Sequence, residues 1–135
     1  MTRIAVTDTH ALIWYSQQRW RRLGRRAVSL FRDADAGRAA LVVPAMVLVE
    51  VLEEARKGTV AFSSSASDWL EGLAGSGSFL IADLTAEVVL RAHSLYTIPE
   101  RGDRLIAATA AVLEYPLITR DPAIGRAAGV EVVWE

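Results

Sequence analysis

Along this chain, short apolar runs alternate with stretches whose apolar residues recur at helical spacing. "RIAVT" (3–7) is β-branched-rich and predicts a strand; "THALIWYS" (9–16) predicts a helix capped by Asp8 or Thr9. "LGRRAVSLFRDADAGR" (23–38) places Val28, Leu30, Phe31 and Ala34 on one helical face and ends at Gly37. "ALVV" (40–43) predicts a second strand, with Pro44 as the first residue of the helix "PAMVLVEVLEEARKG" (44–58). A polar loop follows over 58–67, then a short helix in "SDWLEGLAG" (67–75), entered through Ser65 or Ser67. "FLIA" (79–82) predicts a third strand, and "TAEVVLRAHSLYTI" (85–98) a helix that Pro99 breaks. The Ala-rich "RGDRLIAATAAVLE" (101–114) predicts a helix, "PLIT" (116–119) a strand, "DPAIGRAAG" (121–129) a short helix and "VEVVW" (130–134) a final strand.

Strands alternating with helices imply an α/β protein: one domain over 1–135, with a mostly parallel central sheet flanked by helices on both faces. Sites in such sheets lie beyond the carboxyl ends of the strands. The residues that follow each strand are therefore the ones to read for chemistry.

Composition narrows the chemistry. An apolar fraction of 52% with 23% charged residues is ordinary for a globular domain. The absence of cysteine removes disulfides and thiolate metal sites. Asp8 and His10 interrupt the only early apolar run, so residues 1–20 do not read as a signal peptide, and no segment is long enough to span a bilayer. A soluble cytoplasmic protein is expected. A net charge of −1 gives no global attraction to nucleic acid, but fourteen of the fifteen basic residues are arginine. Five of these fall within "RWRRLGRR" (19–26), and arginine is the better planar partner for phosphate.

Four acids stand where the topology points. Asp8 follows the first strand, Asp121 follows the fourth, and Asp103 lies in the first turn of the 101–114 helix. Glu50 sits where the polar stripe of its helix meets buried surface. Singly, Asp8, Asp103 and Asp121 also read as helix-capping residues. Together on one rim, four carboxylates would raise each other's pKa values unless a cation neutralised them. A hard divalent ion, Mg²⁺ or Mn²⁺, is the natural counter-charge and would suit phosphodiester hydrolysis. No nucleophile elbow, P-loop or GxGxxG competes. His10 and His93 are isolated, and Trp14, Trp20 and Trp69 read as packing residues before base-stacking ones.

These residues also carry a family likeness. "DTHALIWY", "VPAMVLVEV", "IPERGDRLIAATA", "LITRD" and "GVEVVW" together resemble PIN-domain ribonucleases, in particular the VapC-type toxins of toxin–antitoxin pairs. The resemblance implies an α/β/α fold and Mg²⁺-dependent hydrolysis of single-stranded RNA. It implies that Asp8 and Asp103 are the main metal ligands, that Asp121 completes the acidic cluster directly or through water, and that Glu50 binds metal or orients the attacking water. Thr119 matches a small hydroxyl position that holds a water or a carboxylate. Pro44 departs from the pattern, standing where many relatives carry Ser. Arg104 and the 19–26 cluster, with Arg22, Arg25 and Arg26, become candidates for RNA phosphate contacts. A cognate antitoxin and a second copy of the chain are the expected partners, because the helices near 11–15 and 45–52 are apolar over more of their circumference than a lone domain requires.

Competing readings remain. A housekeeping PIN nuclease would share every one of these residues, and a metal-free binding module would use every acid as a cap. A receiver-like phosphorylated domain needs a late lysine, whereas the only lysine is Lys57. The substrate RNA and its cleavage site, the number of metals and the identity of the antitoxin are not written in the sequence.

Overall fold

A computed structural model describes residues 3–135. The strands are β1 (Arg3–Thr7), β2 (Ala39–Pro44), β3 (Phe79–Ala82), β4 (Leu117–Ile118) and β5 (Val132–Val133). The helices are α1 (Thr9–Ser16), α2 (Arg25–Asp35), α3 (Ala45–Lys57), α4 (Ala66–Gly75), α5 (Ala86–His93), α6 (Arg101–Leu113) and α7 (Pro122–Ala128), with one 3₁₀ turn at Trp20–Arg22. All five strands pair in parallel in the order β3-β2-β1-β4-β5. Val6 of β1 is in register with Val42 on one side and Leu117 on the other.

Right-handed crossovers put α1 to α4 on one face and α5 to α7 on the other. α2 packs on β2, α4 on β3 and α6 on β1, and α3 meets α6. The sheet is covered on both faces, so its central strands are apolar without alternation: Leu41, Val42 and Val43 are all buried. Phe31 and Leu12 fill one side, while α6 offers Ile106, Ala107, Ala108 and Ala110 to the other. Truncating a fully buried residue such as Phe31 to Ala costs about 3–5 kcal/mol.

Local details differ from the sequence pattern in instructive ways. Pro44 is not the first helical residue: with ψ 145° it ends β2, in register with Ala82. The helix expected over 85–98 stops at His93. The Ser94 hydroxyl donates to the Arg91 carbonyl (2.6 Å), and i→i−3 bonds at Leu95 and Ile98 tighten the chain so that both residues are buried. The last two strands hold only two residues each, inside the longer apolar runs 116–119 and 130–134. The helix at 11–15 uses its apolar residues internally, since Ala11, Leu12, Ile13 and Trp14 are all buried. Its breadth of apolarity reflects enclosure in the domain, not an outer binding face. On α3, Val49 does stand exposed. No helix among the described residues is long and apolar enough to cross a membrane.

The consequence for function lies in the strand order. The chain leaves β1 toward β2 on one side and later returns to add β4 on the other. A crevice therefore opens at the carboxyl ends of β1 and β4, where the connections diverge.

Candidate functional site

That crevice is a cleft of about 540 Å³ lined by Asp8, Asp103, Thr119 and Asp121, with His10, Trp14, Arg120 and Trp134 among its walls. Asp8 is placed by the end of β1, and its backbone N–H donates to the Ile118 carbonyl of β4 (3.1 Å). This bond brings the residues following the two strands side by side. One Asp8 oxygen, Oδ1, accepts from the Ala11 N–H (2.9 Å) and caps α1. Asp121 does the same for α7, accepting from Ala123 N–H (2.9 Å) with Pro122 as the first helical residue. The capping expectation therefore holds for both residues. It leaves one carboxylate oxygen of each outside the cap bond.

Asp103 is different. It lies in the first turn of α6 and caps nothing; Glu100 precedes the helix without a side-chain cap bond. Its charge favours the helix dipole, and its side chain lines the cleft.

Electrostatics mark the same residues. Burial lifts the Asp8 carboxyl to about 6; the Ala11 N–H, the Thr119 hydroxyl and the neighbouring His10 pull the other way, and Asp103 adds a further upward push. Asp103 is raised as well, first by burial and then by Glu100, with His10 opposing and Asp121 adding repulsion. Thr119 is itself buried, and its Oγ1 accepts from the Asp121 N–H (3.3 Å). This one hydroxyl thus serves both strand-end acids.

Glu50 stands behind the cleft. It is half-buried on α3, where the Thr9 hydroxyl donates to its Oε1. Its carboxylate packs on Gly102, immediately before Asp103: a Cβ added at Gly102 would fall 3.0 Å from Glu50 Cδ and closer still to Oε2. The glycine lets the Glu50 carboxylate lie against the start of α6; a side chain at 102 would push that carboxylate aside.

The donors fit a hard divalent ion. They are carboxylates only, they share one rim, and two of them are held above the ordinary acid range by burial and mutual repulsion. Among the described residues, no three acidic or imidazole side chains are gathered into a preformed ion cage. A small ion held by two carboxylates and completed by water matches this arrangement.

The arginine candidates separate. Arg104 donates from Nη1 to the carbonyls of Ile98 (2.7 Å) and Pro99 (2.9 Å), fixing the loop that leads into α6. Arg25 and Arg26 line a different groove, with Arg3 and Glu131. Arg22 lies over the Trp14 ring (5.7 Å), as does Arg120 (5.3 Å). Trp14 is buried and Trp69 stacks on Phe62, whereas Trp20 stacks on Tyr15 but stays exposed. The sequence pattern missed Arg120, Trp134, Thr9 and Gly102. Of these only Gly102 left a signal, a glycine inside a helical run beside a candidate ligand.

A parallel sheet with helices on both faces and carboxylates at its switch point defines an α/β/α protein built around an acidic cleft. The chain belongs to the PIN domain family, which matches residues 5–130; proteins of this family are nucleases. No curated protein matches it by sequence. Among solved structures it is similar to VapBC2 from Rickettsia felis, solved bound to a DNA fragment from its promoter: 16% identity, TM-score 0.69, covering 98% of this chain and 99% of that one. It is similar to the DNA-bound VapBC of Salmonella typhimurium at 14% identity and TM-score 0.67, covering 98% and 97%. A toxin–antitoxin complex from Klebsiella pneumoniae matches at 20% identity and TM-score 0.61, over 90% and 89% of the two chains. At these identities the likeness speaks for the fold.

Proposed function

We propose that this chain, acting as one nuclease unit over 1–135, is a Mg²⁺- or Mn²⁺-dependent endoribonuclease that hydrolyses single-stranded RNA. In this reading it is the toxin of a toxin–antitoxin pair, cytoplasmic, homodimeric and silenced by a cognate antitoxin. The observation that carries the reading is the pair Asp8 and Asp103, one capping and one not, both lifted by burial in a cleft at the switch point. The toxin–antitoxin complexes among the similar folds support a toxin over a housekeeping nuclease. Exposed Leu90 and Tyr96, on and just after α5, support a protein-binding face.

Asp8 and Asp103 would hold the ion, with Asp121 reaching it directly or through water. When bound, the ion supplies a polarised phosphodiester and a more acidic attacking water. The protein's own contribution is placement. The Ala11 N–H fixes the Asp8 rotamer, Thr119 ties the two strand-end acids together, and Glu50, held by Thr9, orients the water. The purified chain, free of antitoxin, is expected to cleave RNA with Mg²⁺ or Mn²⁺ and to stop in excess chelator. Undiminished cleavage in chelator would sink the metal mechanism.

The cap bonds of Asp8 and Asp121 favour one rival, a metal-free binding module. A calorimetric titration with Mn²⁺ separates the two, since the module would bind none.

A further inference from the structure

Two cations without an anionic partner lie over Trp14, a wall of the acid cleft. Arg120 lines the cleft between Thr119 and Asp121, yet it forms no ion pair with Asp8, Asp103 or Asp121. Its guanidinium lies over the indole of Trp14, 5.3 Å from the ring centroid. The guanidinium of Arg22 lies over the same indole at 5.7 Å. Among the described residues the ion pairs are Arg3–Asp33, Arg26–Glu131, Arg38–Asp33 and Lys57–Glu54, so Arg22 too is without one. Both arginines are exposed, whereas Trp14 is 8% exposed and held by the core.

This arrangement is unusual for a cleft with three carboxylates. An arginine in such a place ordinarily folds onto the nearest acid, where charge-assisted bonds are strong. Here both guanidiniums lie over one indole and neither pairs with an acid. The acids stay free for an ion, and the planar forks stay free for an anion arriving from outside. Trp14 is too enclosed to stack on a base, so it serves as a platform.

We propose that Arg22 and Arg120, seated on Trp14, form a phosphate clamp that takes the backbone phosphates next to the scissile one in a single-stranded RNA. The clamp rests on the nuclease reading for its substrate, but its geometry is independent of the metal ligands. It positions the strand without reading bases, because guanidinium–phosphate contacts carry no sequence information.

The test uses the full chain with Arg22→Met and Arg120→Met, which keep aliphatic cover on the indole and remove only the charge. Arg120→Lys keeps the charge and loses the fork. Cleavage of a labelled oligouridylate in Mg²⁺ should show KM raised roughly tenfold for each Met variant with kcat little changed, and Arg120→Lys should recover part of the loss. Binding of the same oligonucleotide to the Asp103→Asn background should become less salt-dependent, the slope of log affinity against log salt falling by about 0.7 per arginine removed. Unchanged KM and slope in an active double variant would overturn the clamp and leave the nuclease reading standing; this is also the result expected if the arginines serve a protein partner. A wild type that binds the oligonucleotide through these arginines but never cleaves RNA would keep the clamp and overturn the nuclease reading. A slope lowered equally by Arg38→Met, remote from the cleft, would reduce the effect to general charge and overturn the clamp.

Discussion

Of two concavities formed by the described residues, the larger carries less chemistry. The groove beside α2 measures about 830 Å³ and is lined by Ile4, Leu30 and Val133, with Arg3, Arg25, Arg26 and Glu131 around it. Its charges are largely answered. Arg26 meets Glu131 at 3.3 Å, and Arg3 meets Asp33. The acid cleft is smaller, at about 540 Å³, and none of its three aspartates is in an ion pair. Two aspartates express the contrast. Arg38 and then Arg3 hold the Asp33 carboxyl below its usual value, whereas burial carries Asp8 up to about 6. Paired charge at a surface is structural upkeep. Unpaired like charge in a buried crevice costs stability, and a protein retains it where a ligand makes good the loss. Size marks space; uncompensated charge marks function.

The largest effect that sharpens this contrast is on catalysis. Asp103→Asn removes a carboxylate that caps nothing, so cleavage should fall by a factor on the order of 10³ while apo stability holds or rises. Thermal melts with and without Mg²⁺, run beside an RNA-cleavage gel, read both quantities. The Mg²⁺-induced stabilisation should shrink in the variant, because the ion binds only the folded state. An active variant with an unchanged Mg²⁺ shift would make the cleft no more functional than the groove.

Gly102→Ala tests the wall between Glu50 and Asp103. In an open helix the change would stabilise by about 1 kcal/mol. Here the new Cβ meets the Glu50 carboxylate, which must swing off the Thr9 hydroxyl to make room, so that gain is expected to vanish or turn into a loss of about 1 kcal/mol, with reduced cleavage. In a Glu50→Ala background the clash is gone, and Gly102→Ala should become stabilising in urea melts while activity stays low. A loss of stability that persists in the double variant would place the crowding elsewhere.

Acid should strengthen the apo protein in one window. The folded pKa of Asp8 is about 6 against an ordinary 3.8, so between these values the folded state binds more protons than the unfolded one. Stability therefore rises as pH falls from 7 toward 4, by at most about 3 kcal/mol, and Asp103 adds in the same direction. Mg²⁺ should flatten or reverse the trend, since it competes with the protons. Asp33, shifted the other way, opposes the trend only below its own ordinary range. Chemical melts across this interval decide it; a slope of the opposite sign in the absence of metal would contradict the burial of Asp8.

Much of this was legible in the chain before its structure. All five strands and seven helices follow from the switch between apolar runs and helical spacing. The strand-end acids follow from parallel topology. Less legible was everything set by distant neighbours. That Asp103 caps nothing depends on where α6 begins, and Pro44 reads as helical until its pairing with β3 draws it into the sheet. The broad apolarity of residues 11–15 has two physical outcomes, enclosure or docking, and only packing distinguishes them. Arg120 gave no signal because its significance lies in the indole of Trp14, more than a hundred positions earlier.

The smallest effect concerns the groove itself. Glu131→Gln breaks the ion pair with Arg26, whose side chains remain 68% and 54% accessible. Solvent and salt already screen such a pair, so its loss should cost about 0.2–1 kcal/mol, and less at high ionic strength. Cleavage in Mg²⁺ should not change, because neither Glu131 nor Arg26 lines the acid cleft. Urea midpoints at low and high salt give the first quantity, and initial rates on one RNA give the second. Should the rate fall while the midpoint stays put, the groove would be coupled to the chemistry and the division between the two concavities would not hold. Should the stability fall by several kcal/mol at either salt, the pair would be better buried than its accessibility allows.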